Sequence, residues 1–358
     1  MKYFKLIYVI LCALALSACS VQTAEPDELE LIRAVAIDAS ESGFTVTVCT
    51  GTPSDGEPTI ISGEGTTIEG ALRGLQSSSP DSIPFYSHTH CILIGEKLAR
   101  RGIGEVLDYI SRSSEMRLDT GVVICRGSAG DAINGAADEG KSVYDSLRAI
   151  EKKAPQTGEG CIFTALDAVG ELLASNSTVI LAVSSDSGKL TASGFGVIQD
   201  NRLVGYIPPE DSLGVVVLKS PPDALTHSVT LDGVPASFGL SGFKIKYDPN
   251  FGDGVRISVS FDAYLTEIGT KWDPSDAAAR ETTEKALSRS VCDSVARAVG
   301  RSQRMGSDCL GIGTKISMKS PKSAENWSEK FQSIPINISV SARLAGSRDT
   351  DRGLFYQK

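Results

Sequence analysis

Histidines are the first residues to consider for acid–base or metal chemistry, and the chain has only three: His88, His90 and His227. His88 and His90 are two positions apart, so on a strand their side chains point to the same face and could chelate a metal. No carboxylate or thiolate completes such a site in the sequence, and surface residues of strands share this spacing, so we expect no metal centre. The sequence also lacks a nucleophile elbow, a phosphate-binding loop and an H-E-x-x-H motif. We therefore expect no catalytic activity and no cofactor, and a binding or assembly role becomes the default.

The cysteines are the second group with chemical potential. Cys49, Cys91 and Cys125 lie within or beside aliphatic runs typical of strands, where a buried thiol behaves as a small hydrophobic group. The sequence has no C-x-x-C pair and no zinc-type spacing, which indicates neither a redox motif nor a metal cage. A disulfide between Cys292 and Cys309 is compatible with the sequence, although spacing alone does not establish it.

Cys19 ends a segment that has the features of an export signal. Two lysines precede an apolar run over 6–16, and a Leu-Ser-Ala-Cys sequence ends at Cys19. A basic stretch, an apolar core of about 7–15 residues and a small-residue cleavage site define a secretory signal peptide, here 1–18. A cysteine directly after Leu-Ser-Ala resembles a bacterial lipobox, in which the cysteine becomes the amino terminus and its sulfur carries a diacylglyceryl group. We predict a lipid anchor at Cys19 and a polar tether over 19–28; the alternative is an ordinary signal peptide in which Cys19 is incidental.

Size and charge narrow the class of protein further. The chain has 358 residues and a formal net charge of −9, and removal of the signal peptide takes away two lysines and no acid, which makes the charge about −11. An acidic chain without clustered Lys and Arg does not suit nucleic acid as a partner. The mature length exceeds the usual limit of about 250–300 residues for one hydrophobic core, so two or more domains are expected.

The order of apolar and polar residues predicts an α+β fold with two to three mixed domains, each a mostly antiparallel sheet packed with helices. The N-terminal domain is predicted over 29–207, with a further division near 127–135 left open, and the C-terminal domain over 223–346. Proline pairs indicate a linker over 208–222 between them. A polar tail follows over 347–358.

Several elements can be predicted from local patterns. Helical spacing of apolar residues predicts a helix over about 97–110, followed by a strand over 116–125. A turn at Asp200-Asn201 predicts a hairpin within 191–207. The longest helical signal covers about 274–302, and its apolar stripe indicates packing on a sheet. That stripe consists of Leu287, Val291, Val295 and Val299.

Short segments of the N-terminal half, taken in order, resemble one known family. Ala34-Val35-Ala36-Ile37-Asp38 is similar to its opening strand, and Ser87-His88 with the run 92–99 is similar to its most recognisable block. The segment from Arg112 through Glu115 to Arg117 matches an Arg-Asp-Pro-Glu-apolar-Arg pattern in which Ser113-Ser114 replaces Asp-Pro. The C-terminal half continues the order with Gln303, Asp308, Leu310-Gly311-Ile312-Gly313 and Trp327. With the lipobox-like Cys19, this succession resembles the Ger(x)C lipoproteins of spore-forming Firmicutes, the C subunit of the nutrient germinant receptor.

The resemblance implies a non-catalytic lipoprotein that acts in spore germination. It implies a location on the outer face of the membrane that becomes the spore inner membrane, and assembly with two integral membrane subunits into a receptor for nutrients. The candidate structural or interface residues are His88, Arg112, Glu115, Arg117, Gln303, Asp308, Gly311, Gly313 and Trp327.

These candidates also have interpretations of their own. Arg112, Glu115 and Arg117 are expected to form an ion-pair cluster at a helix–strand junction. Gly311 and Gly313 are expected to permit positive φ or close backbone packing. Trp327 is expected to anchor the last helix to the sheet, or to serve as an interface hot spot if it is partly exposed.

The main alternative is a solute-binding lipoprotein of a membrane transporter, which closes around its ligand. Long alternating βαβ repeats on both sides of a hinge would favour that class, and the sequence does not show them.

Overall fold

The structure, a computed structural model, describes residues 29–50, 58–78, 83–268 and 276–347. The signal peptide 1–18, the predicted lipid anchor Cys19 and the tether lie outside the described residues, as does the predicted tail beyond its first residue.

The N-terminal half of the protein is built on a ten-stranded mixed sheet. Its strands are β1 (Leu29–Ala39), β2 (Phe44–Thr50), β3 (Ile60–Gly65), β4 (Ile83–Phe85), β5 (Cys91–Gly95), β6 (Gly121–Cys125), β7 (Phe163–Thr164), β8 (Ser177–Asp186), β9 (Lys189–Gln199) and β10 (Arg202–Ile207). The order along the sheet is β10-β9-β8-β6-β5-β1-β2-β3, with β4 beside β1 and β7 beside β6.

The centre of this sheet is parallel, since β1, β5, β6 and β8 pair in the same direction. All residues of β5 and β6 are buried, and short apolar strands of this type are typical of parallel sheets covered on both faces. The flanking pairs β1/β2, β2/β3, β8/β9 and β9/β10 are antiparallel. The predicted α+β class is confirmed, but this sheet is mixed rather than mostly antiparallel. Helices between the central strands return the chain to the same edge of the sheet, so these strands run parallel. Local sequence patterns do not reveal this return.

Helices cover both faces of the sheet. They are α1 (Ile68–Ser78), α2 (Glu96–Arg101), α3 (Gly104–Arg112), α4 (Ala129–Asp138), α5 (Val143–Thr157) and α6 (Ala165–Ser175). Apolar residues of α1, α2, α3 and α6 share one core, and those of α4 and α5 contribute to the core on the opposite face. The single helix predicted over 97–110 is divided into α2 and α3, because Gly102 adopts a φ of 149° at the end of α2. The strand predicted over 116–125 begins only at Gly121.

The C-terminal half contains a four-stranded sheet in the order β11 (Ala224–Leu231), β12 (Val234–Phe251), β13 (Gly254–Ile268) and β14 (Ile336–Ser347). The helices of this half are α7 (Ser212–Lys219), α8 (Ala277–Arg304), α9 (Ile312–Ser317) and α10 (Trp327–Lys330). The first three strands are antiparallel, whereas β13 and β14 are parallel and are joined through α8. The predicted apolar stripe of α8 is buried in the core, so the predicted packing of this helix is confirmed.

The two halves share a hydrophobic core. One buried cluster runs from the α4 and α5 face of the first sheet to α8 and the inner face of the second sheet. The segment 208–222, predicted as a linker, contains α7, in which every residue from Ser212 to Leu218 is buried. Its proline pairs flank this helix instead of marking an exposed connection. The exact division of the chain into domains stays a prediction.

A buried carboxylate fixes α7 against α8. Asp211, just before α7, accepts hydrogen bonds from the guanidinium groups of Arg297 and Arg301 on α8. Burial raises the pKa of Asp211, but the hydrogen bonds from the two arginines outweigh it, and the pKa lies below its usual range. This pairing connects the segment between the halves to the longest helix of the C-terminal half.

Candidate functional site

Asp308 is the centre of a cluster that contains most of the candidate residues of the C-terminal half. Its Oδ1 accepts a hydrogen bond from the backbone N–H of Ile312 at 2.9 Å, and its Oδ2 accepts one from the N–H of Gly313 at 2.6 Å. The indole Nε1 of Trp327 also donates to Oδ2, at 2.8 Å. The carboxylate therefore satisfies two amides in the first turn of α9 and fixes the tryptophan at the same time.

The two glycines around Asp308 have different roles. Gly311 adopts φ 69°, ψ 28° and starts α9 from a left-handed conformation, which glycine adopts without a steric penalty. Gly313 lies beneath Trp327: a Cβ at this position would be 2.2 Å from Cδ1 of the indole ring. The sequence predicts positive φ or close packing for these glycines. The structure shows positive φ at Gly311 and close packing at Gly313.

Gln303 and Phe331 continue the cluster. The Gln303 side-chain amide, near the end of α8, donates to the carbonyl oxygens of Phe331 at 2.8 Å and Ile334 at 2.9 Å. The ring of Phe331 is buried and lies 5.9 Å from the indole of Trp327. Trp327 and Gln303 thus hold the last helical turn against the C-terminal half.

Burial controls the ionisation of Asp308. Desolvation raises the pKa of this carboxyl group to about 6, and the hydrogen bonds from Gly313, Ile312 and Trp327 oppose that effect. These three donors belong to α9 and Trp327, so the carboxylate positions both.

A cleft of about 670 Å³ opens beside this cluster, between α6 and the α9–α10 region. Trp327, Asp308 and Gly313 line it, together with Met318 and residues at the end of α6. Met318 is 76% exposed, and Leu173, near the end of α6, is 83% exposed. Large exposed apolar side chains beside a cleft are typical of a surface that binds another molecule.

The candidate residues of the N-terminal half lie near the start of β5 and β6 but do not form the expected mutual ion pairs. Arg112 pairs with Asp108 at 2.9 Å, one turn earlier on α3, and Arg117 pairs with Asp119. Glu115 accepts a hydrogen bond from the Ser87 hydroxyl through its backbone carbonyl at 3.1 Å. The two arginines therefore pair with acids close to them in sequence, and Glu115 joins the two segments through its backbone.

His88 and His90 have separate surroundings. His88 is exposed in a 3₁₀ turn, Tyr86–His88, and its ring lies 5.7 Å from that of Phe85. His90 lies 3.3 Å from the Glu151 carboxylate and contacts the Tyr144 ring edge-on. Burial lowers the pKa of His90 despite the Glu151 carboxylate. Within the ranges that the structure describes, no group of three or more His, Cys, Asp or Glu could hold a metal ion.

The thiols behave as the sequence predicts for core residues. Cys49, Cys91 and Cys125 are buried in the same core cluster, and burial raises the pKa of Cys49 to about 11. The disulfide left open by the sequence does not form in the structure, where Cys292 and Cys309 are both free thiols. The Cys309 thiol instead donates to the Ser302 hydroxyl at 3.4 Å.

Asp38 is a structural carboxylate whose role the sequence does not reveal. At the end of β1, its Oδ1 accepts from the backbone N–H of Ala129 at 3.0 Å, and its Oδ2 accepts from the N–H of Gly130 at 2.8 Å. The Ser128 hydroxyl donates to the same Oδ2 at 3.1 Å. The only sequence signal is an acid near the end of an apolar strand, and its partners are about ninety residues away.

The fold defines a class: an α+β protein of two sheets with a shared core and an open cleft beside Trp327. The family model described as spore germination protein N-terminal domain matches residues 22–185, and the model described as spore germination B3/GerAC like, C-terminal, matches residues 193–347. The chain therefore belongs to the Ger(x)C family of spore germination proteins.

Individual relatives agree with this assignment. Spore germination protein B3 of Bacillus subtilis (strain 168) is 26% identical over 226 residues, which cover 60% of each chain. The putative spore germination protein YfkR of the same organism is 37% identical over 75 residues, covering 21% of this chain and 19% of the relative. The matches thus span less than two thirds of these curated relatives. The crystal structure of the GerBC protein has the same fold, with a TM-score of 0.60 and 20% identity over 87% of this chain and 97% of that one.

Proposed function

We propose that the protein is a non-catalytic lipoprotein subunit of a nutrient germinant receptor in the spore inner membrane. Membership of the Ger(x)C family is the observation that carries this proposal. The Leu-Ser-Ala-Cys sequence that ends at Cys19 supports a lipid anchor at that residue. No helix in the described part of the chain is long and apolar enough to cross a bilayer. A lipid on Cys19 would hold the described residues on the extracytoplasmic face of the membrane.

The cleft lined by Trp327, Asp308, Gly313 and Met318, which we call the Trp327 cleft, is our candidate surface for contact with two integral membrane subunits. Trp327 is held from below by Asp308 and Gly313, so its exposed part is presented on a rigid support. Rigid aromatic side chains at the edge of a cleft are frequent hot spots of interfaces. Two acyl chains on Cys19 would concentrate the protein beside membrane subunits, so a small interface would suffice.

The shared core argues against the solute-binding alternative. A protein that closes around a small ligand needs two lobes that move about a hinge. Here one buried cluster continues through both halves, and the Asp211 pairing with α8 ties the connecting segment to it.

Affinity capture from detergent-solubilised spore membranes tests this proposal. The tagged protein should recover two polytopic membrane proteins, and the Cys19→Ala variant should lose them or be absent from the membrane. Met318→Asp places a charge beside the cleft at a 76% exposed position and should reduce recovery without loss of the lipid anchor. Val204→Asp is the matched control, because Val204 is also an exposed apolar residue but does not line the cleft.

Capture with an ATP-driven permease, or absence of the protein from spores, would exclude the receptor role. Equal losses from Met318→Asp and Val204→Asp would remove the cleft as the contact surface while leaving the receptor role to be judged by the wild-type capture.

A further inference from the structure

The amino ends of the central parallel strands form one edge of the N-terminal sheet. Since β1, β5 and β6 run in the same direction in adjacent positions, the chain enters all three strands at the same edge. Hydrogen bonds join these entry points: His90 N–H donates to the Arg33 carbonyl at 2.8 Å, and Gly121 N–H donates to the His90 carbonyl at 3.1 Å. We call this boundary, with the adjoining starts of β4 and α6, the amino edge.

Large apolar side chains are exposed along the amino edge. Leu31 and Ile83 lie on the paired strands β1 and β4. Leu118 and Leu166 are adjacent, since the Leu166 N–H donates to the Leu118 carbonyl at 2.9 Å, just before β6 and at the start of α6. Their exposed fractions are 39% for Leu31, 46% for Ile83, 38% for Leu118 and 56% for Leu166. The other exposed large apolar residues of the described chain are Leu173, Val204 and Met318, two of which belong to the surroundings of the Trp327 cleft.

The covalent path to Cys19 also begins at the amino edge. The first described residue, Leu29, starts β1, and it lies ten positions after Cys19 in the sequence. Ten residues reach roughly 35 Å at most when fully extended. The strand β1 itself has 11 residues and is therefore about as long as that maximum reach. A lipid on Cys19 could place the opposite edge of the sheet on the membrane only if the residues between Cys19 and Leu29 were stretched along the whole of β1. The amino edge needs no such stretching, because these residues join the sheet there.

We propose that the amino edge rests on the lipid bilayer, with Leu31, Ile83, Leu118 and Leu166 in the interfacial region. This inference rests on the proposed lipidation of Cys19. The free energy falls when exposed apolar side chains move from water into the boundary between headgroups and acyl chains. The mature chain carries a formal net charge of about −11, so we expect docking to depend on the apolar side chains and not to require anionic lipid.

Depth-dependent fluorescence quenching tests this orientation. The mature chain is prepared with a polyhistidine tag in place of the Cys19 lipid and is bound to phosphatidylcholine vesicles that contain a nickel-chelating lipid. Tryptophan is introduced at the amino edge as Leu118→Trp, or as Leu166→Trp in a second variant. Asn134→Trp is the matched control, because Asn134 is exposed on α4 beside the carboxyl ends of β1 and β5. All variants keep the two native tryptophans, so the difference from the parent protein gives the signal of the new residue.

Lipids brominated near the top of the acyl chain should quench the emission of Leu118→Trp and Leu166→Trp but not that of Asn134→Trp. Addition of phosphatidylglycerol should not change this difference. Equal quenching at all positions, no quenching at the amino edge, or quenching of Asn134→Trp alone would overturn the proposed orientation. Quenching that appears only with phosphatidylglycerol would overturn the apolar mechanism. Because the tag replaces the natural anchor, any of these contrary results would leave the proposed lipidation of Cys19 intact. Lipidation is tested separately by the mass of the Cys19 peptide from spore membranes.

Discussion

The Asp308 cluster gives the most quantitative prediction, because three donors share one buried carboxylate. Asp308→Ala removes every acceptor and leaves the N–H groups of Ile312 and Gly313 unpaired in a buried environment. A buried donor without a partner costs about 1–3 kcal/mol, so this substitution should lower the free energy of unfolding by about 2–6 kcal/mol. The Trp327 indole is only half-buried, and we expect water to replace its lost partner.

Asp308→Asn should have a smaller effect of a distinct kind. An amide offers one oxygen, and its NH2 group cannot accept a hydrogen bond. If the oxygen occupies the Oδ2 position, Gly313 and Trp327 keep their acceptor while the Ile312 N–H faces the amide nitrogen. One buried donor is then unpaired, and a loss of about 1–3 kcal/mol is expected.

Urea unfolding followed by far-ultraviolet circular dichroism measures these losses without using Trp327 as the reporter. Asp119→Asn is the control, since Asp119 forms an exposed pair with Arg117 and such pairs contribute about 0–1 kcal/mol. The reasoning is refuted if Asp308→Ala is as stable as the control, or if Asp308→Asn is less stable than Asp308→Ala.

Burial raises the pKa of Asp308 to about 6, above the value of about 4 in the unfolded chain, so folding favours the protonated carboxyl group. The stability that comes from this preference should be fully present below pH 4 and lost as the pH rises to about 6, and urea titrations should show a steeper decline over that range for the wild type than for Asp308→Asn. Gly313→Ala should lower the free energy of unfolding by about 1–3 kcal/mol, because its Cβ would overlap the Trp327 ring. Gly311→Ala has open space around it and should lower the free energy of unfolding by only about 1 kcal/mol, the cost of a positive φ. Equal losses of the two variants in thermal unfolding would contradict this distinction. Asp211→Asn should lower the urea midpoint, with a loss of about 1.5–3 kcal/mol from the charged hydrogen bonds to α8, and an unchanged midpoint would show that the pairing contributes nothing.

The sequence predicts local structure better than it predicts partners. The hairpin at Asp200-Asn201 forms as expected, with both turn residues at positive φ, because a turn is encoded by adjacent residues. The stripe of α8 is equally local, since it depends only on helical spacing. The parallel pairing of β1, β5 and β6 depends on where helices return the chain, and no short pattern contains that information.

The contacts of the candidate residues are likewise predictable from the sequence only when both partners are close along the chain. Arg112 was predicted to join a cluster with Glu115 and Arg117, but its partner Asp108 lies four positions earlier on the same helix. That pair was accessible from the sequence, since residues four apart on a helix are neighbours. The contact of Trp327 with Asp308 was not accessible, because it depends on the loop that reverses the chain after α9.

Asp38, which is partly buried, and Asp308, which is buried, use their carboxylates in the same way. Each carboxylate accepts hydrogen bonds from two backbone amides at the start of a helix and from one further donor, which is the Ser128 hydroxyl for Asp38 and the Trp327 indole for Asp308. Large apolar side chains are exposed at the amino edge and beside the Trp327 cleft. We therefore expect substitutions of these exposed apolar side chains to affect membrane docking and assembly while leaving stability unchanged. Asp38→Asn should lower stability alone, whereas Asp308→Asn should lower stability and, because Asp308 supports Trp327, assembly as well.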